Sequence, residues 1–357
     1  MKKTANYNYF IDLIKFIFSI LIVFYHSWIF TGEFGSGFFN HGYLAVDFYF
    51  IVTGYLMMQS IEKEKKSKES IGLKTIKFIY KKIASIFPYI LFAFILGTIL
   101  LYKSDILSIR LMTANNLISE ILQIGTLGLG IPINGAAWYI SAMLICLFCL
   151  YPLANKFKEN YIYLIAPLLL FLFLGICYSF DIVVNDPANK VFFGLNGLYK
   201  GFIFIILGNI SYEVVKWFKK VNFTKVGRIF LTIIELLLLF ILIATMHLNF
   251  LGTIVVALVT FALVTIVFSE RSYSKEIFNF PFFKKLGFFG FIMYLNNVYL
   301  RTPLLNSGLN IGYKKYFILF VGLTFAISLL SYYLVPLFIK LWRKCLLYFK
   351  KLFIVNK

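Results

Sequence analysis

The chain has 357 residues, of which 61% are apolar and only 14% charged, with a mean hydropathy of +0.86. No soluble globular domain of this size has that make-up, so the protein is polytopic in a membrane. The formal net charge of +20 does not point to nucleic acid, because the basic residues gather in short loops between apolar runs, where they set membrane orientation.

The first apolar run carries Asp12, Lys15, Ser19 and His26. At about 100° per residue, the eleven positions from Lys15 to His26 return a helix to within roughly 20° of one direction, and Asp12 and Ser19 share that stripe. At about 1.5 Å per residue, Lys15 and His26 lie roughly 16 Å apart, near opposite leaflets of a core about 30 Å thick. Ionisable groups in hydrocarbon are costly and face a cavity or a partner, so this stripe is a candidate functional site. It is not a cleavable signal peptide. The run holds Asp12 and Lys15, lacks a small-x-small cleavage site and leads directly into a second apolar segment.

Ten transmembrane helices are predicted, at about 9–31, 43–60, 83–102, 135–153, 161–179, 195–215, 228–247, 250–268, 286–303 and 316–340. The Lys/Glu stretch from Glu62 to Glu69 reads as a solvated cytoplasmic loop and the start of a helix. The uncharged run from Ile121 to Asn155 is too long for one span. Gly128, Gly130, Pro132, Asn134 and Gly135 break it, which places a loop or interfacial segment before the fourth helix. Cys146 and Cys149 lie in an apolar helix without polar neighbours, so they read as core residues and no metal site is expected. Glu235, in the seventh span, is a buried acid to which the sequence assigns no partner.

Alternating spans put most of the 35 basic residues on one side, among them Lys2, Lys3, Lys63, Lys68, Lys74, Lys77, Lys81, Lys82, Lys219 and Arg271. The other side holds Lys103, Arg110, Lys190, Lys200, Arg301, Lys314 and Lys315. By the positive-inside rule both termini are expected to be cytoplasmic, with Lys15 near the inner leaflet and His26 near the outer one. The expected fold class is all-α: one polytopic membrane helix bundle over residues 1–357, with no separate soluble domain.

Asp12-x-x-Lys15, ten residues, His26, then Val46-Asp47-Phe48-Tyr49-Phe50 and Thr53-Gly54-Tyr55-Leu56 closely resemble the N-terminal signature of the acyltransferase 3 family. The similarity continues in Tyr80-Lys81-Lys82 with Phe87-Pro88, and in Trp138-Tyr139-Ile140-Ser141-Ala142 with Tyr151-Pro152-Leu153. Lys200 with Phe204 and Gly208 also resembles the family, as does Tyr294-Leu295. It is dense over residues 9–90 and sparse after 155. The resemblance implies an integral membrane enzyme of about ten spans that moves acyl groups, usually acetyl from acetyl-CoA, onto hydroxyls of surface saccharides. Four positions depart from the family pattern. Lys15 stands where Arg is usual, Lys82 and Ser85 where an Arg-x-x-Arg pair is expected, and Asn297 where a histidine is expected. They leave open an altered substrate or lost turnover.

Within that resemblance His26 is the expected general base, since imidazole titrates near about 6.5. Asp47 is expected to orient it if the first two helices pack together, as in a triad without a protein nucleophile; an acyl-histidine intermediate stays open. Lys74, Lys77, Lys81 and Lys82, with Lys15 just inside, are expected to hold the phosphates of acetyl-CoA, and Asp12, Lys15 and Ser19 to line the channel taken by its pantetheine arm. Alternatively, Asp12 and Lys15 form only an i,i+3 ion pair that eases insertion. Trp138, Tyr139 and Ser141 are expected on the acceptor side, with Lys200 added by family position alone.

The expected activity is that of a stand-alone O-acetyltransferase of the bacterial cytoplasmic membrane. It is embedded in membrane lipids, uses acetyl-CoA, and modifies an exopolysaccharide, capsule or other envelope glycan, free or lipid-linked. Neither a metal nor a nucleic-acid partner is expected. Two rivals stand beside it: a transporter or flippase for a lipid-linked saccharide, and a non-catalytic relative.

Overall fold

The computed structural model describes residues 7–27, 38–64, 67–103, 114–129, 134–179, 194–309 and 312–353. The expected basic residues Lys2, Lys3, Arg110 and Lys190 lie outside the described residues. Among the described residues every regular element is helical. In chain order they are α1 (Phe10–His26), α2 (Ala45–Lys63), α3 (Ile71–Lys103), α4 (Ala114–Leu122), α5 (Trp138–Phe157), α6 (Ala166–Ser179) and α7 (Asn196–Phe218). Then come α8 (Lys225–Leu248), α9 (Thr253–Ser269), α10 (Ser274–Ile277), α11 (Phe282–Asn296), α12 (Arg301–Leu305) and α13 (Gly312–Phe353).

A helix stands at each predicted span. Among the described residues seven helical stretches are long and apolar enough to cross a membrane, and α9 is a shorter apolar helix. The protein is a multi-pass helical bundle. Before α5 the described residues form short helix and turn: α4, then 3₁₀ turns at Gly125–Leu127 and Gly135–Ala137, with Gly128 at φ 78°; Gly130 and Pro132 lie outside the described residues. The structure differs from expectation at α3, which begins at Ile71, so that Lys74, Lys77, Lys81 and Lys82 are helical. Ser70 starts it by accepting the Leu73 N–H at 3.3 Å, a cap that ends the loop well before the apolar run.

Apolar side chains exposed on α6, α8 and α13, such as Leu168, Phe171, Phe230, Phe240, Leu330 and Tyr333, form the lipid-facing periphery. Two helix pairs make the interior. A Cβ placed at Gly54 of α2 would lie 2.0 Å from the Ile205 carbonyl oxygen of α7, and one at Gly208 would lie 2.1 Å from that of Ile51. The two backbones touch there, as small residues allow in membranes. Gly208→Ala is therefore expected to cost about 1–3 kcal/mol by forcing the backbones apart. In detergent it should lower the thermal midpoint, whereas Gly72→Ala, with open space around its Cβ, should not. Equal midpoints for the two variants would contradict this crossing.

Candidate active site

The second close pair is α1 with α11. Asp12 abuts Gly287, Ser19 abuts Gly290, and His26 meets Asn297, so the helices run parallel and the polar stripe of α1 faces protein. His26 Nδ1 lies 2.5 Å from Asn297 Oδ1. Asn297 sits where α11 gives way to the turn Val298–Leu300. Its Nδ2 donates to the carbonyls of Met293 at 3.1 Å and Tyr294 at 2.8 Å, in the last turn of the helix. With both amide protons committed, this network assigns the amide orientation, and Oδ1 faces the ring. An amide oxygen only accepts, so Nδ1 carries the hydrogen and the neutral ring keeps its lone pair on Nε2. The ring is half-buried. Arg301, opening α12, is near enough to act on His26 electrostatically.

Asp47 does not take the expected place beside His26. Lys200 Nζ lies 2.7 Å from Asp47 Oδ1, with the two side chains 4% and 1% exposed. The cause is helix packing: α2 lies along α7 and touches α1 through few side chains, so the first turn of α2 meets the first turn of α7. The Lys200 ammonium also stands 5.6 Å from the Tyr43 ring centre and 5.8 Å from that of Phe204. Tyr43 lies 5.4 Å from Tyr25, whose ring is 5.1 Å from His26. Two tyrosines thus join the ion pair to the imidazole at one end of the bundle.

Farther along the stripe, Tyr49 of α2 donates its hydroxyl proton to the Lys15 carbonyl, so Ser19 donates to Tyr49 at 2.7 Å. Tyr139 packs between Phe50, Tyr49 and Tyr294 at 4.7, 6.1 and 6.0 Å between ring centres. Trp138 and Tyr139 are half-buried at the start of α5. Ser141, expected on an acceptor, is buried; it bonds the Thr126 hydroxyl at 2.8 Å and accepts the Thr126 N–H at 3.1 Å. It fastens the turn Gly125–Leu127 to α5.

At the other end Asp12 and Lys15 form an ion pair at 3.2 Å. The expected lysine cluster does not converge as a group. Lys81 is 3.8 Å from Glu64, Lys74 donates to the Ser67 carbonyl at 2.9 Å, and Lys77 pairs with Glu69. Lys82 lies close enough to Lys15 for their charges to repel. Glu235, left without a partner by the sequence, accepts from Ser274. The sequence reading missed the partnership of Asn297 with His26 and the place of Arg301. Nothing in the sequence names the helix that meets the α1 stripe, so no signal pointed to either residue.

The fold and the site define a helical integral-membrane protein with a histidine–asparagine pair held between two of its helices. The acyltransferase 3 family model, described as an acyltransferase domain, matches residues 8–336, nearly the whole chain, and the protein belongs to that family. It is an acyltransferase. Searches of curated proteins and of solved structures found no match.

Proposed function

We propose that the protein is an O-acetyltransferase of the bacterial cytoplasmic membrane. It takes acetyl from acetyl-CoA at the lysine-rich cytoplasmic end and passes it to a hydroxyl of an exopolysaccharide, capsule or other envelope glycan at the opposite end. The observation that carries this reading is the hydrogen bond from His26 to Asn297, which leaves Nε2 as a base in a member of an acyltransferase family.

The acceptor hydroxyl gives its proton to Nε2 as its oxygen bonds to the thioester carbonyl carbon. The C–S bond then breaks, and the CoA sulfur leaves with the proton returned by the imidazolium. Arg301 is the nearby cation for the charge that builds on the carbonyl oxygen. Asp47 and Lys200 brace that end of the bundle, and Trp138 and Tyr139 offer aromatic faces to a sugar. Ten spans with both termini cytoplasmic fit the pairings, because parallel α1 and α11 would then both be odd-numbered spans and parallel α2 and α7 both even.

The test is base-labile acetate on surface glycan from cells with and without the protein, alongside transfer of label from acetyl-CoA in membranes. Acetate and label that depend on the protein support the reading. Movement of a glycan across the membrane without new acetate would replace it with the transport alternative.

A further inference from the structure

Where α1 begins, the bundle opens into a cleft of about 680 Å³ between residues 7–9, the end of α7 and the segment joining α9 to α10. That volume suits a small-molecule site. Tyr7 and Tyr9 line one side, with ring centres 5.0 Å apart, and Lys219, Arg271 and Lys275 line the rest.

The charges in it are unevenly satisfied. Glu270 pairs with Lys275 at 2.5 Å and Glu276 with Arg228 at 2.6 Å, so both acids of the cleft are neutralised. Arg271 and Lys219 have no acid within ion-pair distance among the described residues. Arg271 donates to the Lys219 backbone carbonyl, and both residues line the cleft. The Arg271 Nε is buried with no hydrogen-bond partner among the described residues. A buried N–H without an acceptor is unfavourable. An anion seated against Arg271 removes that cost and draws in the Lys219 ammonium.

The wall is built rather than loose. Arg228, Thr232 and Glu235, on one face of α8, grip the segment that carries Arg271. Arg228 donates to the Arg271 and Ser272 carbonyls, each at 3.2 Å; Thr232 accepts the Tyr273 N–H at 2.8 Å; and Glu235 accepts from Ser274. This is the use of the buried acid in α8. On the opposite side Asn8 donates to the Val267 carbonyl at 2.8 Å and ties the tyrosine wall to α9. Tyr7 also reaches Asp12, so the cleft adjoins the polar stripe that leads to His26.

We infer that this cleft binds the phosphorylated nucleotide end of the acyl-CoA donor, with Arg271 and Lys219 on phosphate and the tyrosine rings against the base. The inference rests on the acetyl-CoA reading above and moves the phosphates away from the lysines at 74–82.

The test is calorimetric binding of CoA and of adenosine 3′,5′-bisphosphate to the full chain in detergent. It compares wild type, Arg271→Gln, Lys219→Glu and Lys81→Gln, with thermal unfolding as the check on folding. Arg271→Gln and Lys219→Glu should each weaken both ligands at least about ten-fold, and Lys81→Gln should leave them unchanged. Lys219 is exposed, so its variant reports on the cleft even if the Arg271 variant misfolds. Wild-type binding that survives Lys219→Glu and is lost in Lys81→Gln overturns the cleft and leaves the donor reading standing. No CoA binding to wild type overturns both.

Discussion

His26→Ala is expected to lower acetyl transfer by about 10²–10⁴-fold, the range for removing a positioned general base. That corresponds to roughly 3–5 kcal/mol of transition-state stabilisation. Donor binding should stay close to wild type, because the ring lies at the far end of α1 from Asp12 and Lys15. Asn297→Leu should act in the same direction and more weakly. It leaves the imidazole in place but removes the acceptor that fixes its tautomer, so kcat should fall while KM holds. Asn297→Asp keeps an acceptor for Nδ1 and should retain more activity than Asn297→Leu. The measurement is initial rate of label transfer in membranes with equal amounts of each protein. A His26→Ala rate within two-fold of wild type would remove the imidazole as the base.

Three of the departures from the family pattern, at 297, 15 and 85, have different physical weight. At 297, where the family resemblance leads one to expect a histidine, an amide stands and meets the His26 ring. The amide nitrogen is held by two carbonyls, so its oxygen has one direction to face. At 15, the ammonium meets a single Asp12 oxygen, a contact that needs no planar fork. At 85, the hydroxyl donates to the Lys82 carbonyl at 2.7 Å, so a positive charge is simply absent from that part of α3. On the inference above, Arg271 and Lys219 supply cations from another part of the bundle.

The positions of the helices were legible because apolar run length and loop charge encode them directly. The start of α3 was not, since a lysine-rich stretch reads as loop, yet lysine is a good helix former and Ser70 caps it. The stripe of α1 was legible as a face, from spacing alone. What that face meets was not: periodicity says which side chains share a direction and nothing about which helix lies there. His26 finds Asn297 at a separation of 271 residues. Asp47 was assigned to His26 on the assumption that consecutive helices pack together, and the glycine crossing of α2 on α7 took it to Lys200 instead. Gly54 and Gly208 were visible as motif residues, but small residues mark a close approach without naming its partner.

Lys200→Met is expected to destabilise the protein by about 3–5 kcal/mol, because it strands the Asp47 carboxylate at a site where neither side chain sees solvent. Asp47→Leu should cost a similar amount by stranding the ammonium, whose remaining neighbours are the rings of Tyr43 and Phe204. The double variant Asp47→Leu/Lys200→Met removes both charges and should recover most of the loss, since an apolar pair of similar volume often replaces a buried ion pair at little cost. Thermal midpoints of the four proteins in detergent close the cycle. Single variants within about 1 kcal/mol of wild type would mean that the pair is not sealed from water in the protein as it works. Activity of the double variant then separates bracing from chemistry. A stable and active double variant makes the pair a clamp between α2 and α7. A stable and inactive one puts Asp47 and Lys200 in contact with the acceptor, one tyrosine pair away from His26.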